Sequence, residues 1–263
     1  MNEKNDTLEH FGFSFERNSV HTARTIMLKE LGMLLECVSG ERALKLEYRK
    51  AVVEDNCLLK RSGKNRNLTF GHMANLYILD DSYILFRALR YFWYRDMQGR
   101  QLLTLLCACA TDSVLRNSRT LILGLSEGTI ITRQDTEAFI EQTDPGRFSA
   151  ATLKSTAQNI NSSWTQSGHL SGRINKVRTK VCPSPGTVAY ALLLGYLTGA
   201  RGESLFSTEY AKLLDSSPVV LSELAAEASS RGWLVFKRIG NVIEVAFPNL
   251  LTDQEMEWVH EQA

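Results

Sequence analysis

Two stretches of basic residues with no acid among them are where this sequence could do chemistry. Lys60, Arg61, Lys64 and Arg66 stand between Cys57 and Met73, and Arg173, Lys176, Arg178 and Lys180 stand between Gly168 and Cys182. Such segments can follow a phosphate backbone, each contact releasing counterions and making affinity fall with salt. The alternative for each is a solvated loop. From Asp253 onward the balance reverses, with Asp253, Glu255, Glu257 and Glu261 and no Lys or Arg. The formal charge of +1, from 30 Lys+Arg and 29 Asp+Glu, is therefore a sum of segregated patches. It excludes a uniformly basic, histone-like binder and leaves local patches open.

Other chemistry is sparse. Cys107 and Cys109 lie in an apolar helix at the wrong spacing for a zinc knuckle, which reads as buried small side chains. The five histidines form no helix-spaced metal pair, and no Walker-type phosphate loop occurs. Gly195, Gly199 and Gly202 have neither the spacing nor the preceding strand of a dinucleotide fingerprint, so close helix packing and a helix C-cap account for them better. No catalytic residue, metal ligand or cofactor is assigned. Five cysteines, Cys37, Cys57, Cys107, Cys109 and Cys182, with polar first residues and no cleavage-site pattern, point to a reducing, cytoplasmic setting. The apolar runs 102–110 and 188–197 are about half the roughly 20 residues of a membrane helix and read as buried core helices.

The elements that would position the basic residues are mainly helical. Apolar spacing predicts helices over 20–38, 42–54 and 68–79, with 60–67 a basic connector before the third. This is a helix-turn-helix-like layout for residues 1–80. Helices over 83–97, 100–111, 114–125, from Thr132 to about 143, and 150–166 make a central bundle, 81–182. Its expected core is Leu85, Leu89, Phe92, Leu103, Leu106, Leu121, Phe139, Leu153, Ile160 and Trp164. The step Cys182-Pro183-Ser184-Pro185 is the best domain boundary. Residues 183–263 then read as helices over 186–198, 208–214 and 218–231, strands over 233–238 and 242–247 joined across Gly240-Asn241, and an acidic tail. Helix, helix, helix, hairpin is the order of a winged helix. Segments 162–170 and 228–234 both run from a helix end through Gly into a His-Leu or aromatic-Leu pair, which suggests similar units and falls short of a repeat.

The third helices separate the two modules. Asn67, Thr69, His72 and Asn75 would be exposed behind the N-terminal basic turn, hydrogen-bonding groups that suit a duplex groove. Ser222, Glu223, Glu227 and Ser230 would face outward in the C-terminal module, where two carboxylates repel phosphates. The N-terminal module is the better DNA contact; Lys237 and Arg238 are the weaker C-terminal candidates.

The segment 52–62, Val-Val-Glu-Asp-Asn-Cys-Leu-Leu-Lys-Arg-Ser, resembles the acidic-Asn, Leu, Lys-Lys/Arg-Ser signature of the BrxA family of bacterial BREX (bacteriophage exclusion) defence systems. The apolar 102–118 stretch with its Ser-Arg ending, Thr152-Leu153-Lys154-Ser155-Thr156-Ala157-Gln158 and Gln166-Ser167-Gly168-His169-Leu170 follow in the family's order. The resemblance spans about 22–170, and the part after Pro183 exceeds the family's usual length. It implies an all-helical, cytoplasmic, non-enzymatic protein with a helix-turn-helix-like N-terminal part and a bundle similar to the antitermination factor NusB. Such a protein binds double-stranded DNA and works with other BREX proteins in phage restriction and host methylation. The implied DNA contacts are Lys60, Arg61, Lys64 and Arg66. Where the family has Ser-Pro-Ala-Thr-Ala, this chain has Ser62-Gly63-Lys64-Asn65-Arg66. Two other readings stay open: a protein-interaction scaffold using Glu223, Glu227 and the Trp258-Val259 pair of the tail, and an RNA-binding NusB-like protein.

Overall fold

The apolar runs 102–110 and 188–197 become the two central helices of the fold. The computed structural model describes residues 3–40, 42–240 and 242–261, and it is mainly helical with two small antiparallel sheets. Helix α1 spans Glu3–Phe11, α2 Leu28–Cys37, α3 Lys45–Arg49, α4 Gly63–Tyr77 and α5 Ile84–Arg95. The bundle continues with α6 Arg100–Thr111, α7 Ser113–Leu123, α8 Arg133–Thr143 and α9 Ala150–Gln166. The C-terminal part has α10 Pro185–Leu197, α11 Glu209–Lys212, α12 Pro218–Ser230 and α13 Asp253–Glu261. From Leu102 onward every residue of α6 is buried, as is α10 except at Tyr196. No helix among the described residues is long and apolar enough to cross a membrane.

One apolar core runs from Leu8 to Val259, across both expected domain steps. The Pro183–Pro185 step enters it directly. Asp96, at the end of α5, accepts from the Ser184 hydroxyl at 2.6 Å and the Gly186 N–H at 2.8 Å, so a carboxylate stabilises the N-terminus of α10. Tyr190 then donates to the Leu85 carbonyl at 2.9 Å, and Phe92 packs on both Tyr190 and Trp233. Of the expected core, Leu85, Leu89, Phe92, Leu103, Leu106, Ile160 and Trp164 are buried and Leu121 and Leu153 pack against it half-buried, while Phe139 is half-buried outside it.

Several expected elements are corrected. The helix over 20–38 is split: Val20–Thr22 form a 3-10 turn, Met27 is left-handed (φ 53°), and α2 begins only at Leu28. The cause is tertiary, because Asp112 takes the Ser19 hydroxyl and the Val20 N–H while Ser163 takes the Ile26 N–H. The 42–54 helix is short α3 continued by a π turn, Lys50–Glu54. The connector 60–67 is mostly helix, since the Ser62 hydroxyl accepts the Asn65 N–H at 3.2 Å and starts α4 at Gly63. The second basic segment holds a strand, β3 (Lys176–Arg178), between β1 (Ile130–Ile131) and β2 (Leu170–Ser171). Strands β4 (Val235–Ile239) and β5 (Val242–Ala246) form the hairpin, with Ile239 opposite Val242 and Gly240 left-handed at the turn (φ 59°). Asn241 lies outside the described residues.

The acidic tail is a docked helix. Both carboxylate oxygens of Glu255 in α13 accept from the Arg87 guanidinium, at 2.8 and 2.6 Å, and one also accepts the Thr252 N–H at 2.8 Å. Val259 is buried, and Trp258 packs against His10 and Phe11. The expectation that Trp258 and Val259 present a free docking surface is therefore corrected: Trp258 packs on α1 and Val259 lies in the core.

Candidate nucleic-acid interface

The loop that leads into α4 is shaped by its own residues. Asn56 and Leu59 are left-handed (φ 53° and 52°), the Asn56 side chain accepts the Lys60 N–H at 2.8 Å, and Leu58 is buried as an anchor. This projects Arg61 into solvent just before the helix, and Lys64 is exposed in the first turn. The first turn of α4 contains no acid. Lys60 is half-buried and its ammonium meets Glu30 at 3.0 Å, so its charge is already paired. Arg66 is half-buried and donates to the Glu54 carbonyl at 3.4 Å; Asn67 is exposed and donates to the Gly63 carbonyl at 2.9 Å.

The expected polar face of α4 does not present as one surface. Thr69 is corrected from an exposed contact to a buried one, at 2% exposure, because it falls on the side of α4 that packs inward with Met73 and Leu76. His72 is half-buried, and burial followed by the charge of Arg24 pushes its imidazole below the ordinary value. His72 and exposed Asn75 line a cavity of about 540 Å³ shared with Glu9, Glu16, Lys45 and Asp112. At about 1.5 Å of rise per residue, that cavity lies roughly 12 to 16 Å along the helix from Lys64. Exposed Arg61 and Lys64 thus lie at one end of α4, while Glu9, Glu16 and Asp112, together with Lys45, line the cavity at the other.

The second basic segment divides more sharply. Arg178 is corrected from a DNA contact to a core residue: it is 4% exposed, pairs with Asp215 at 2.8 Å and donates to the Ile122 carbonyl at 3.0 Å. Lys176 is half-buried, donates to the Gly172 carbonyl at 2.7 Å, and is pushed below its ordinary value by burial. Arg173 and Lys180 remain exposed. Among the described residues no hydrogen bond or ion pair links this segment to residues 60–66. In the hairpin, Lys237 is exposed opposite Glu244 at 3.4 Å, and exposed Arg238 donates to the Gly240 carbonyl at 3.2 Å. On α12, Glu223, Glu227 and Ser230 face outward, whereas Ser222 is buried.

A constellation that sequence reasoning missed lies in the core. His21 Nδ1 is 3.0 Å from Asp112, and His21 Nε2 is 3.0 Å from the Ser163 hydroxyl. The connectivity is that of a nucleophile triad. Ser163 donates to the Asn159 carbonyl at 2.8 Å and accepts the Ile26 N–H at 3.0 Å, and all three side chains are buried. The group pins the N-terminal segment to α7 and α9. The three residues are too far apart in the chain for any local spacing to reveal them.

The remaining chemistry agrees with buried packing. Cys107 and Cys109 sit in the core, where burial pushes both thiols up to about 12. Gly195 packs its backbone against Thr208, and left-handed Gly199 (φ 98°) follows the end of α10. Among the described residues no group of three or more His, Cys, Asp or Glu side chains could hold a metal ion. No model of a known protein family matches the chain, and no curated protein sequence is significantly similar to it.

Proposed function

We propose that this chain is a non-enzymatic DNA-binding accessory subunit of a BREX-type phage-defence system, and that duplex DNA meets it at the N-terminal end of α4. The observation that carries the reading is an acid-free helix N-terminus flanked by Arg61 and Lys64, both exposed and without a carboxylate partner among the described residues. A helix N-terminus beside two exposed cations, one just before it and one in its first turn, favours a phosphate oxygen. Phosphate contacts of this kind position a protein on DNA and carry affinity; they do not by themselves select a sequence. Residues 1–80, 81–182 and 183–263 are read as a helix-turn-helix-like module, a NusB-like bundle and a winged-helix-like module sharing one core. The BREX assignment, with other BREX proteins as partners in restriction and host methylation, rests on the sequence resemblance over 22–170.

The test is duplex-DNA binding measured across a salt titration, for the native chain and for a variant with Lys60, Arg61, Lys64 and Arg66 replaced by Ala. Weaker binding with a shallower dependence of log K on log salt supports the site. Unchanged affinity and an unchanged slope would remove it. Competition between duplex DNA and RNA of equal length separates this reading from an RNA-binding one.

A further inference from the structure

Distant parts of the chain close on a cavity that neither basic segment lines. It lies between α1, α7 and α11, has a volume of about 370 Å³, and is walled by Leu8, Phe15, Tyr210 and Leu213. Its charged lining is Arg116 and Arg119 of α7 and Glu209 of α11. Three residues apart, the two arginines share one face of their helix. The apolar walls are fixed by packing: Leu8, Tyr210 and Leu213 are buried, and the Tyr210 ring meets Phe13 edge-on at 6.1 Å.

The charges in this cavity do not balance. Arg119 donates to Glu209 at 2.6 Å, and Lys212 reaches the same carboxylate at 3.2 Å, so Glu209 is shared by two cations. Arg116 is half-buried and donates to the Ala110 carbonyl at 3.2 Å and to the Ser14 carbonyl at 2.8 Å. Its guanidinium carbon lies 5.2 Å from the centre of the exposed Phe15 ring. These partners aim the guanidinium without neutralising it, and among the described residues it has no ion pair. The two carbonyls leave it further N–H donors for an acceptor.

We propose that this cavity binds a small monocarboxylate with an apolar body, its carboxylate on Arg116 and its body against Phe15, Tyr210 and the two leucines. A half-buried cation in a mostly apolar cleft is weakly screened, which strengthens its attraction for an anion. Two guanidinium groups against one carboxylate match a single negative charge, and the apolar walls suit a hydrocarbon better than a hydrated phosphate. The volume is near the lower end of the roughly 300–1,000 Å³ typical of ligand sites, which restricts the body to a short chain or a small ring system.

Isothermal titration calorimetry of the full chain tests this with octanoate, 2-naphthoate and the uncharged 2-naphthalenemethanol. Saturable binding of both carboxylates is expected, with the alcohol weaker by about tenfold or more. Arg116→Gln should weaken 2-naphthoate binding about ten- to hundredfold and leave the alcohol nearly unchanged. Because Arg116 also holds two backbone carbonyls, a second variant keeps the test independent of folding. Ser207 lines the cavity from an exposed position, so Ser207→Trp should obstruct it and weaken both naphthyl probes while circular dichroism and the thermal melt stay native. No saturable binding of either carboxylate up to about 1 mM overturns the proposal. So does equal affinity for 2-naphthoate and its alcohol, or native affinity in either folded variant. The readout involves no nucleic acid, so it stands or falls apart from the DNA-binding reading.

Discussion

His21 Nδ1 stands 3.0 Å from the Asp112 carboxylate with both side chains buried, and this contact holds the N-terminal segment against the start of α7. Asp112 also accepts the Val114 and Leu115 N–H groups at 3.1 and 3.0 Å, so one carboxylate caps a helix and fixes a chain entry. Burial alone would raise its pKa, but His21 and these hydrogen bonds hold it at about 2. Removing one partner of such a buried pair leaves the other uncompensated. Asp112→Ala is expected to cost about 4 kcal/mol. Ser163→Ala, which removes one neutral hydroxyl, is expected to cost about 1–2 kcal/mol. Urea unfolding at neutral pH, with ΔG extrapolated to water, checks both.

Acid should destabilise the protein in two windows. Burial holds His169 neutral, lowering it to about 4, with Nε2–H donating to the Leu213 carbonyl at 2.9 Å. The unfolded chain binds this proton near 6.5 and the folded chain does not, so stability falls as pH drops from about 6.5 to 4, by about 3 kcal/mol in all. Asp112 adds a second loss. Its folded value lies below its unfolded one, so its contribution is present above about 4 and disappears towards pH 2, at about 2 kcal/mol. Unfolding midpoints at pH 7, 5.5 and 4.5 test the first window, and a flat profile between them would refute it.

The cations at the start of α4 should separate by partner. Arg61→Ala with Lys64→Ala is expected to reduce the slope of log K against log salt by about 2. Lys60→Ala should change the slope by well under one contact, because Glu30 already neutralises its ammonium. Arg178→Ala should leave the slope unchanged and lower the melting temperature, since its guanidinium is spent on Asp215 and backbone carbonyls. Fluorescence anisotropy with a labelled duplex and a thermal melt measure the two effects independently.

The junction at Pro185 offers a test of cooperativity. A Cβ at Gly186 would meet the Asp96 carboxylate oxygen at 2.5 Å and the Asp96 Cβ at 2.7 Å, so Gly186→Ala must displace the cap of α10. A cost of roughly 2 kcal/mol is expected. Because α10 is buried against α5 and α6, the loss should appear in one transition for the whole chain. Two calorimetric transitions, only one of them shifted, would contradict a shared core.

Most helices were legible because their signals are local. The 3.6-residue apolar period, Ser149 before α9 and Thr132 before α8 mark elements whose caps lie in the same few residues. The failures share one cause. Residues 20–27 carry a helical apolar pattern, yet Asp112 and Ser163, far along the chain, take their backbone and side-chain donors and hold them out of a helix. The basic residues show the same limit, since acid-free spacing identified eight cations as one kind of feature. Burial then divided them into exposed Arg61 and Lys64, paired Lys60 and the core residue Arg178.

The sequence by itself determined a mainly helical chain, two apolar helices too short for a membrane, and the positions of its charge clusters. These follow from periodicity, length and composition, which act within a turn or two of helix. Only the tertiary structure decided which cations are exposed, that Glu255 is matched to Arg87, and that His21, Asp112 and Ser163 are joined in the core. Pairing, burial and desolvation depend on neighbours brought together by packing, and those neighbours are distant in the chain.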